Sequence, residues 1–268
     1  MQMSRKFINI ALIPARGGSS EIKNKNLQKI GKKSLVLRAV ESCQEAGFFS
    51  KIILSSDSEE IYQEVFHQDN FNNLSNNSIV KISNNLFFHK RKKTQSTNSS
   101  SVYNLIKEIA QIESPNFNYM WLIQPTSPFR TFKEFSELKF LLDTKDFSSI
   151  VSVKDVTHLH PDRMFNYRGD FLEKYDLSNV ERSIPRQLLP KIFVKDGGYY
   201  VFRSEILSQE RYLGTEILPY IRSGINCINI DTIEDLHYAQ YISKIKSTND
   251  RYFIKFLKKF RDQVRVME

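Results

Sequence analysis

The chain has 268 residues, 40% of them hydrophobic, and carries 39 Lys and Arg against 30 Asp and Glu, a net charge of +9. That length suits one large α/β domain, or a domain with a small lobe, and the apolar share is enough to bury a core. The two cysteines, Cys43 and Cys227, lie far apart without metal-ligand spacing, which excludes a disulfide framework and a zinc site.

No stretch approaches the roughly 20 apolar residues of a membrane span. The opening residues show no signal-peptide apolar run or cleavage site, so a reducing cytoplasm is the expected setting. The basic balance raises nucleic-acid binding, concentrated at His89-Lys90-Arg91-Lys92-Lys93 and between Lys244 and Arg265. Helix-turn-helix, zinc-finger and aromatic RNA-binding signatures are missing, and a solvated face or a funnel for an anionic small molecule is expected instead.

In chain order, Phe7–Pro14 reads as a strand, Ser34–Ala46 as a helix stopped by Gly47, and Lys51–Ser56 as a second buried strand. Ser58–Phe66 reads as a helix with Ser58 as N-cap and Glu59 and Glu60 in its first turn. Residues 71–85 read as a long Asn-rich loop with one short strand at 79–82. Ser99–Glu113 is a predicted helix, Tyr119–Gln124 a strand, Lys133–Leu142 a helix and Ser148–Val153 a strand. After residue 153 the texture turns polar, aromatic and proline-bearing up to Lys195, as in an insertion or lobe. Strand texture returns at Phe193–Phe202 and Ile225–Ile230. A helix is predicted over Glu234–Lys246, and a basic amphipathic helix over Arg251–Arg265. The β-α-β-α alternation predicts a mainly parallel sheet covered by helices, with the ligand beyond the carboxyl ends of its strands.

The first strand runs into Pro14-Ala15-Arg16-Gly17-Gly18 and then a basic, Asn-rich segment. Glycines allow close backbone approach to a ligand, and Arg16, Lys23 and Lys25 supply cations for a polyphosphate. An ordinary strand–loop–helix turn with solvated charges is the competing reading. Neither G-x-G-x-x-G nor G-x-x-x-x-G-K-[ST] is present, which argues against a dinucleotide fingerprint and a P-loop ATPase.

Five segments in order carry a resemblance: IPARGGSSEIKNKN at 13–26, LSSDSEEI at 54–61, LIQPTSPFRT at 122–131, IPRQLLPKIFVKDGGYYVF at 184–202 and INIDTIEDLHYA at 228–239. Together they resemble the acylneuraminate cytidylyltransferase family, the CMP-sialic acid synthetases, over roughly residues 8–243. The sister family that activates 3-deoxy-manno-octulosonate has a similar first loop but normally Gly-Lys where this chain has Lys25-Asn26. The resemblance implies a Rossmann-like, mainly parallel sheet flanked by helices, of nucleotidyltransferase type, with an inserted dimerisation lobe. Residues 1–243 would form that single domain, 155–192 its lobe, and 244–268 a C-terminal basic helix.

It also implies transfer of CMP from CTP to the anomeric hydroxyl of a sialic acid-like nonulosonate, with Mg²⁺ as cofactor, release of pyrophosphate, and a homodimer. By the resemblance, Arg16, Lys25 and Asp231 carry the catalysis. Ala15, Gly17, Gly18, Asn26, Ser55 and Asp57 form the CTP pocket. Gln124, Ser127, Arg130, Arg186, Gln187 and Asp196 border the sugar, and Asp231 with Asn229 holds the metal. Plainer roles compete: a loop carboxylate for Asp57, a loop stiffened by Pro125 and Pro128 for the whole 124–130 segment, an interface salt bridge for Arg186, and a strand-end cap for Asp231. His158 and His160 are expected to be packed or interface residues, not a metal pair.

The chain departs from the family pattern at four places. Ser20-Glu21 replaces Lys-Gly, Ser96-Thr97-Asn98-Ser99 stands where the family has D-x-x-S and lacks its Asp, Asp196-Gly197 replaces Asn-Gly, and Asn229-Ile230-Asp231 replaces D-x-D. These point either to an altered sugar substrate or to a weakened or non-catalytic homologue that binds a nucleotide sugar or a partner.

Overall fold

The computed structural model of the chain describes residues 7–92, 102–175, 185–207 and 213–247. In chain order the strands and helices are β1 (Asn9–Pro14), β2 (Lys29–Ile30), β3 (Lys33–Ser34), α1 (Leu35–Ala46), β4 (Phe49–Ser56), α2 (Glu59–Phe66), β5 (Ile79–Ser83), β6 (Leu86–Lys90), α3 (Val102–Glu113), β7 (Tyr119–Leu122), α4 (Phe132–Thr144), β8 (Ser149–Asp155), β9 (Phe165–Arg168), β10 (Phe171–Lys174), β11 (Phe193–Arg203), β12 (Ile217–Arg222) and α5 (Ile233–Ser247). Short 3-10 turns connect several of them.

Eight strands form one sheet in the order β12-β8-β11-β7-β1-β4-β6-β5. All run in one direction except β11 and β5, which pair antiparallel with their neighbours. This is the mainly parallel, helix-flanked sheet that the alternation predicts. β1 shows why an unbroken apolar run suits its centre. Successive side chains point to opposite faces, so Ala11 and Ile13 join one core with α1, α2 and α4, and Ile10 and Leu12 join another with α3. A third, smaller core packs α5 (Leu236, Ala239, Ile242) on Ile22, Ile30, Phe129 and Ile230. It ties the loop after β1 to the segment before α5.

Helix ends follow the local chemistry. Ser34 caps α1 by accepting from the Leu37 N–H, and Gly47 ends it at φ 73°, where a Cβ would be strained. Ser58 caps α2 by accepting from the Ile61 N–H. Thr131 and Glu134 form a reciprocal capping box at the start of α4.

Two expectations need correction. His89 and Lys90 belong to β6 and not to a solvated charge run: His89 is fully buried and Arg91, just beyond, is nearly so. Lys90 spends its charge on the Phe71 and Leu74 carbonyls at 2.9 and 3.0 Å and over the Phe71 ring. Residues 225–230 are not a strand. Gly224–Cys227 is a 3-10 turn, and its apolar side chains are satisfied by packing on α5, while the strand is β12, just upstream. β9 and β10 form a separate two-stranded ribbon. The expected helix at 251–265 and the departure at Ser96-Thr97-Asn98-Ser99 lie outside the described residues. No helix among the described residues is long and apolar enough to cross a membrane.

Candidate active site

The chain moves outward from β1 through β4 to β6 on one side, then returns to β7 on the other. This reversal opens a crevice at the carboxyl ends of the central strands, where open parallel sheets bind ligands. A cleft of about 540 Å³ lies there, with Arg16, Lys25, Arg91, Gln124, Asn229 and Asp231 in its wall. A second cavity of about 780 Å³ shares Gly18 and Arg91 with it and extends past Asp57 and Ser58.

The loop after β1 is pinned from both sides. Asp57 Oδ1 accepts from the Gly17 N–H at 2.9 Å, and Asn26 Nδ2 donates to the Arg16 carbonyl at 2.9 Å. Gly17 must be glycine, because an added Cβ would sit 2.8 Å from Ser58 Cβ, whereas Gly18 faces open space. Asp57 and Asn26 therefore shape the loop as well as border the cavities. Ala15 and Ser55 are fully buried below them: the Ala15 N–H donates to the Ser55 carbonyl, and Ser55 Oγ pairs with His89 Nδ1 at 2.9 Å. They support the pocket floor.

Arg91 enters the site although the sequence placed it in a basic run. Its N–H donates to the Ser56 carbonyl at the end of β4, which brings the side chain to the cleft beside Asp57, Glu108 and Arg16. Burial lowers its pKa, and the neighbouring carboxylates work in the other direction. Only the run-on from a buried strand could have revealed this, and that strand is hidden by its His and Lys.

At the other end of the cleft, Gln124 follows β7, and Asn229 and Asp231 precede α5. Gly197, at φ +75°, approaches both side chains: a Cβ there would lie 2.9 Å from Asn229 Oδ1 and 3.3 Å from Gln124 Oε1. Ser127 is buried, with Oγ 3.5 Å from Asn229 Oδ1.

Arg130 and Asp196 occupy the wall behind this end. Arg130 is partly buried, and burial lowers its pKa to about 10. It donates to the carbonyls of Gly198, Ser127 and Gln124. Asp196 accepts from Ser152 Oγ, the Gly198 N–H and Arg222 Nη1. Arg222 also donates to Glu134, whose other oxygen accepts from Tyr199 at 3.1 Å. This network fixes the 124–130 loop against an irregularity in β11, where the register shifts between Lys195 and Tyr200. Arg222 and Glu134 gave no sequence signal beyond their charge. Gln187 is exposed in the turn Arg186–Leu188 and is not in the cleft wall, and the Arg186 side chain lies outside those described. His160 Nδ1 accepts from the Asp162 N–H and caps a short turn.

Among the described residues, no group of three or more His, Cys, Asp or Glu could cage a metal. Asp231 offers one accessible carboxylate, with the Asn229 amide beside it. Such a donor set fits a hard divalent cation that brings phosphate oxygens and water with it.

Residues 10–129 match the model of the family described as Cytidylyltransferase. The N-acylneuraminate cytidylyltransferase of Streptococcus agalactiae serotype V is 24% identical over 229 residues, covering 84% of this chain and 51% of that protein. The corresponding Escherichia coli protein is 26% identical over 245 residues, covering 89% of this chain and 52% of that protein. The chain thus spans about half the length of these curated relatives. The pseudaminic acid cytidylyltransferase of Campylobacter jejuni is 24% identical, over 88% of this chain and 97% of its own. In fold, the chain is similar to a CMP:2-keto-3-deoxy-manno-octonic acid synthetase complexed with CTP (TM-score 0.59, 11% identity, 89% of this chain and 99% of the other). It is also similar to the 4-diphosphocytidyl-2C-methyl-D-erythritol synthase of Anaerococcus prevotii (TM-score 0.58, 12% identity, 90% of this chain and 100% of the other). Residues 10–129 are thus similar to the cytidylyltransferases, and the sheet with its cleft at the switch point is similar in fold to solved nucleotidyltransferases.

Proposed function

We propose that this chain transfers CMP from CTP to the anomeric hydroxyl of a sialic acid-like nonulosonate and releases pyrophosphate. One observation carries the reading: a single cleft has Arg16, Lys25 and Arg91 in its wall together with the amides Gln124 and Asn229 and the carboxylate Asp231. In the reaction the sugar oxygen bonds to the α-phosphorus, the bond from that phosphorus to the pyrophosphate oxygen breaks, and the hydroxyl proton is lost. Most of the protein's task is positioning and charge neutralisation. Arg16, Lys25 and Arg91 offset the phosphate charge, and the loop at Gly17 and Gly18 lets the backbone approach. Gln124, with Ser127 and Asn229 behind it, orients the acceptor. Asp231, with the Asn229 amide, would hold Mg²⁺, which when bound offsets charge on the triphosphate.

We also propose a homodimer formed through the ribbon region. Tyr167 and Phe171 are each 78% exposed, and Phe165, Leu172, Tyr175 and Leu188 are exposed nearby in sequence. A patch of this kind marks an interaction surface.

The deciding experiment measures pyrophosphate release from CTP and Mg²⁺ with N-acetylneuraminate, legionaminate, pseudaminate and 3-deoxy-manno-octulosonate. Release that depends on one sugar acid is expected and names the substrate. CTP binding without release for any of them would replace this reading with a non-catalytic homologue that binds a nucleotide sugar.

A further inference from the structure

The wall behind Gln124 and Asn229 holds two charges of each sign. Arg130 and Arg222 both stand over the Tyr199 ring, with Cζ 5.6 and 5.1 Å from its centroid. Two cations over one ring repel each other. Glu134 and Asp196 are the buried carboxylates beside them, and they bring the sum to zero. Three donors converge on Asp196: Ser152 Oγ and the Gly198 N–H on Oδ1, and Arg222 Nη1 on Oδ2. The chain departs here from the pattern it resembles, which has Asn at this place. An Asn has the same shape but a single acceptor oxygen. Its amide nitrogen would face either Arg222 or the Ser152 and Gly198 donors, and the wall would be left with an excess cation.

Arg222 has a requirement of its own. Gly198 leaves the space for it, since an added Cβ would overlap Nη1 and lie 2.8 Å from Cζ. Asp196, Gly198 and Arg222 therefore depend on one another. Their effect reaches the cleft through Gly197, which lies between Asp196 and Gly198 at φ +75° and faces Asn229 Oδ1 and Gln124 Oε1. Whatever holds residues 196 and 198 sets how close that backbone stands to the two amides. Arg130 joins the same wall to the other side of the site, bridging the Gly198 and Gln124 carbonyls.

We propose that Asp196 and Arg222 are a charge-matched pair of positioning residues that set Gly197 against Gln124 and Asn229 and so fix the acceptor end of the cleft. The Asp at 196 then answers to Arg222 and not to the sugar. The proposal rests on the reading of Gln124 and Asn229 as the groups that orient the acceptor.

The test compares the full unaltered chain with Asp196→Asn and with Asp196→Asn combined with Arg222→Gln. The double variant removes one charge of each sign and lets two amides pair, so the wall is neutral again. The side-chain amide NMR signals of Gln124 and Asn229, assigned through Gln124→Glu and Asn229→Asp, report their placement without any substrate. Both signals are expected to shift in Asp196→Asn and to return in the double variant. Unmoved signals in Asp196→Asn, or signals still displaced in the double variant, would overturn the proposal. Where Asp196→Asn does not fold, the double variant decides: a folded protein with both signals in place upholds the pair, and any other result overturns it. Pyrophosphate release then separates positioning from general damage. With the sugar acid that supports release, Asp196→Asn should raise the acceptor KM about tenfold and leave the CTP KM nearly unchanged, because a misplaced orienting group acts on the reactant it orients. An equal rise in both constants, or none in either, would overturn the positioning role. If no sugar acid supports release, the proposed function fails, and the amide signals still judge the pair.

Discussion

Arg130 and Arg222 are two arginines with the same chemistry and different tasks. Arg130 satisfies three backbone carbonyls and so sets the shape of the loop that carries Gln124. Arg222 neutralises two buried carboxylates, Glu134 and Asp196, at 2.8 and 2.9 Å. Removing the guanidinium leaves both buried anions without their hydrogen-bonded cation. Arg222→Met is therefore expected to cost about 3–5 kcal/mol, the usual loss when one partner of a buried pair is deleted. Urea unfolding would measure it, and a loss below about 1 kcal/mol, the scale of exposed pairs, would show that water reaches the network. Charged residues in loops after strands look alike in a sequence, whether they face a ligand or a carbonyl. The resemblance implies that Arg130 and Asp196 border the sugar, and in the structure they hold the wall behind that end of the cleft. Their partners lie far along the chain, as the Gly198 carbonyl lies 68 residues from Arg130, which no local pattern reports. Lys25, Gln124 and Asp231 were legible because each belongs to a motif whose backbone is already specified by the strand before it or the helix after it.

The contact between β4 and β6 makes a prediction of its own. His89 is wholly buried on β6, its Nδ1 bonded to Ser55 on β4, with Glu108 of α3 3.7 Å from Nε2 and Arg91 close by. Burial, reinforced by Arg91, lowers its pKa to about 4. The unfolded chain takes up this proton near pH 6.5, so between those values the unfolded state binds more protons and stability falls as the pH falls. The loss, up to about 3 kcal/mol, starts near pH 6.5 and is complete below about pH 4. His89→Gln should flatten the slope of unfolding free energy against pH in that window. An unchanged slope would assign the acid sensitivity to the carboxylates instead. The same strand shows where sequence reading runs out. β1, β4 and β7 announce themselves as apolar runs, since both of their faces are covered. β6 ends in His and Lys, whose placement depends on hydrogen-bond partners from elsewhere, Ser55 for the imidazole and the Phe71 and Leu74 carbonyls for the ammonium. β12, on the sheet edge with alternate residues exposed, is apolar but carries Pro219, which argues against a strand in a sequence, while the apolar residues after Gly224 serve a turn.

For the molecule as a whole, the exposed aromatic and aliphatic residues around the β9–β10 ribbon make self-association measurable. Sedimentation should report a dimer, and Tyr167→Glu combined with Phe171→Glu should give a folded monomer, because both side chains stand away from the cores. A monomeric unaltered protein would remove the proposed dimer.

The central position of β1 has a consequence for synthesis. Its neighbours β4 and β7 come from later in the chain, and the carbonyl that receives Lys25 belongs to Ile230. A growing chain on the ribosome therefore possesses early the loop after β1 and its pins Asn26 and Asp57, but the acceptors that hold Lys25 across the cleft come only when nearly the whole fold has emerged. Ligand stabilisation acts only on a state that binds. Nucleotide would thus protect finished molecules and leave truncated ones exposed to proteolysis, a built-in proofreading of chain completeness.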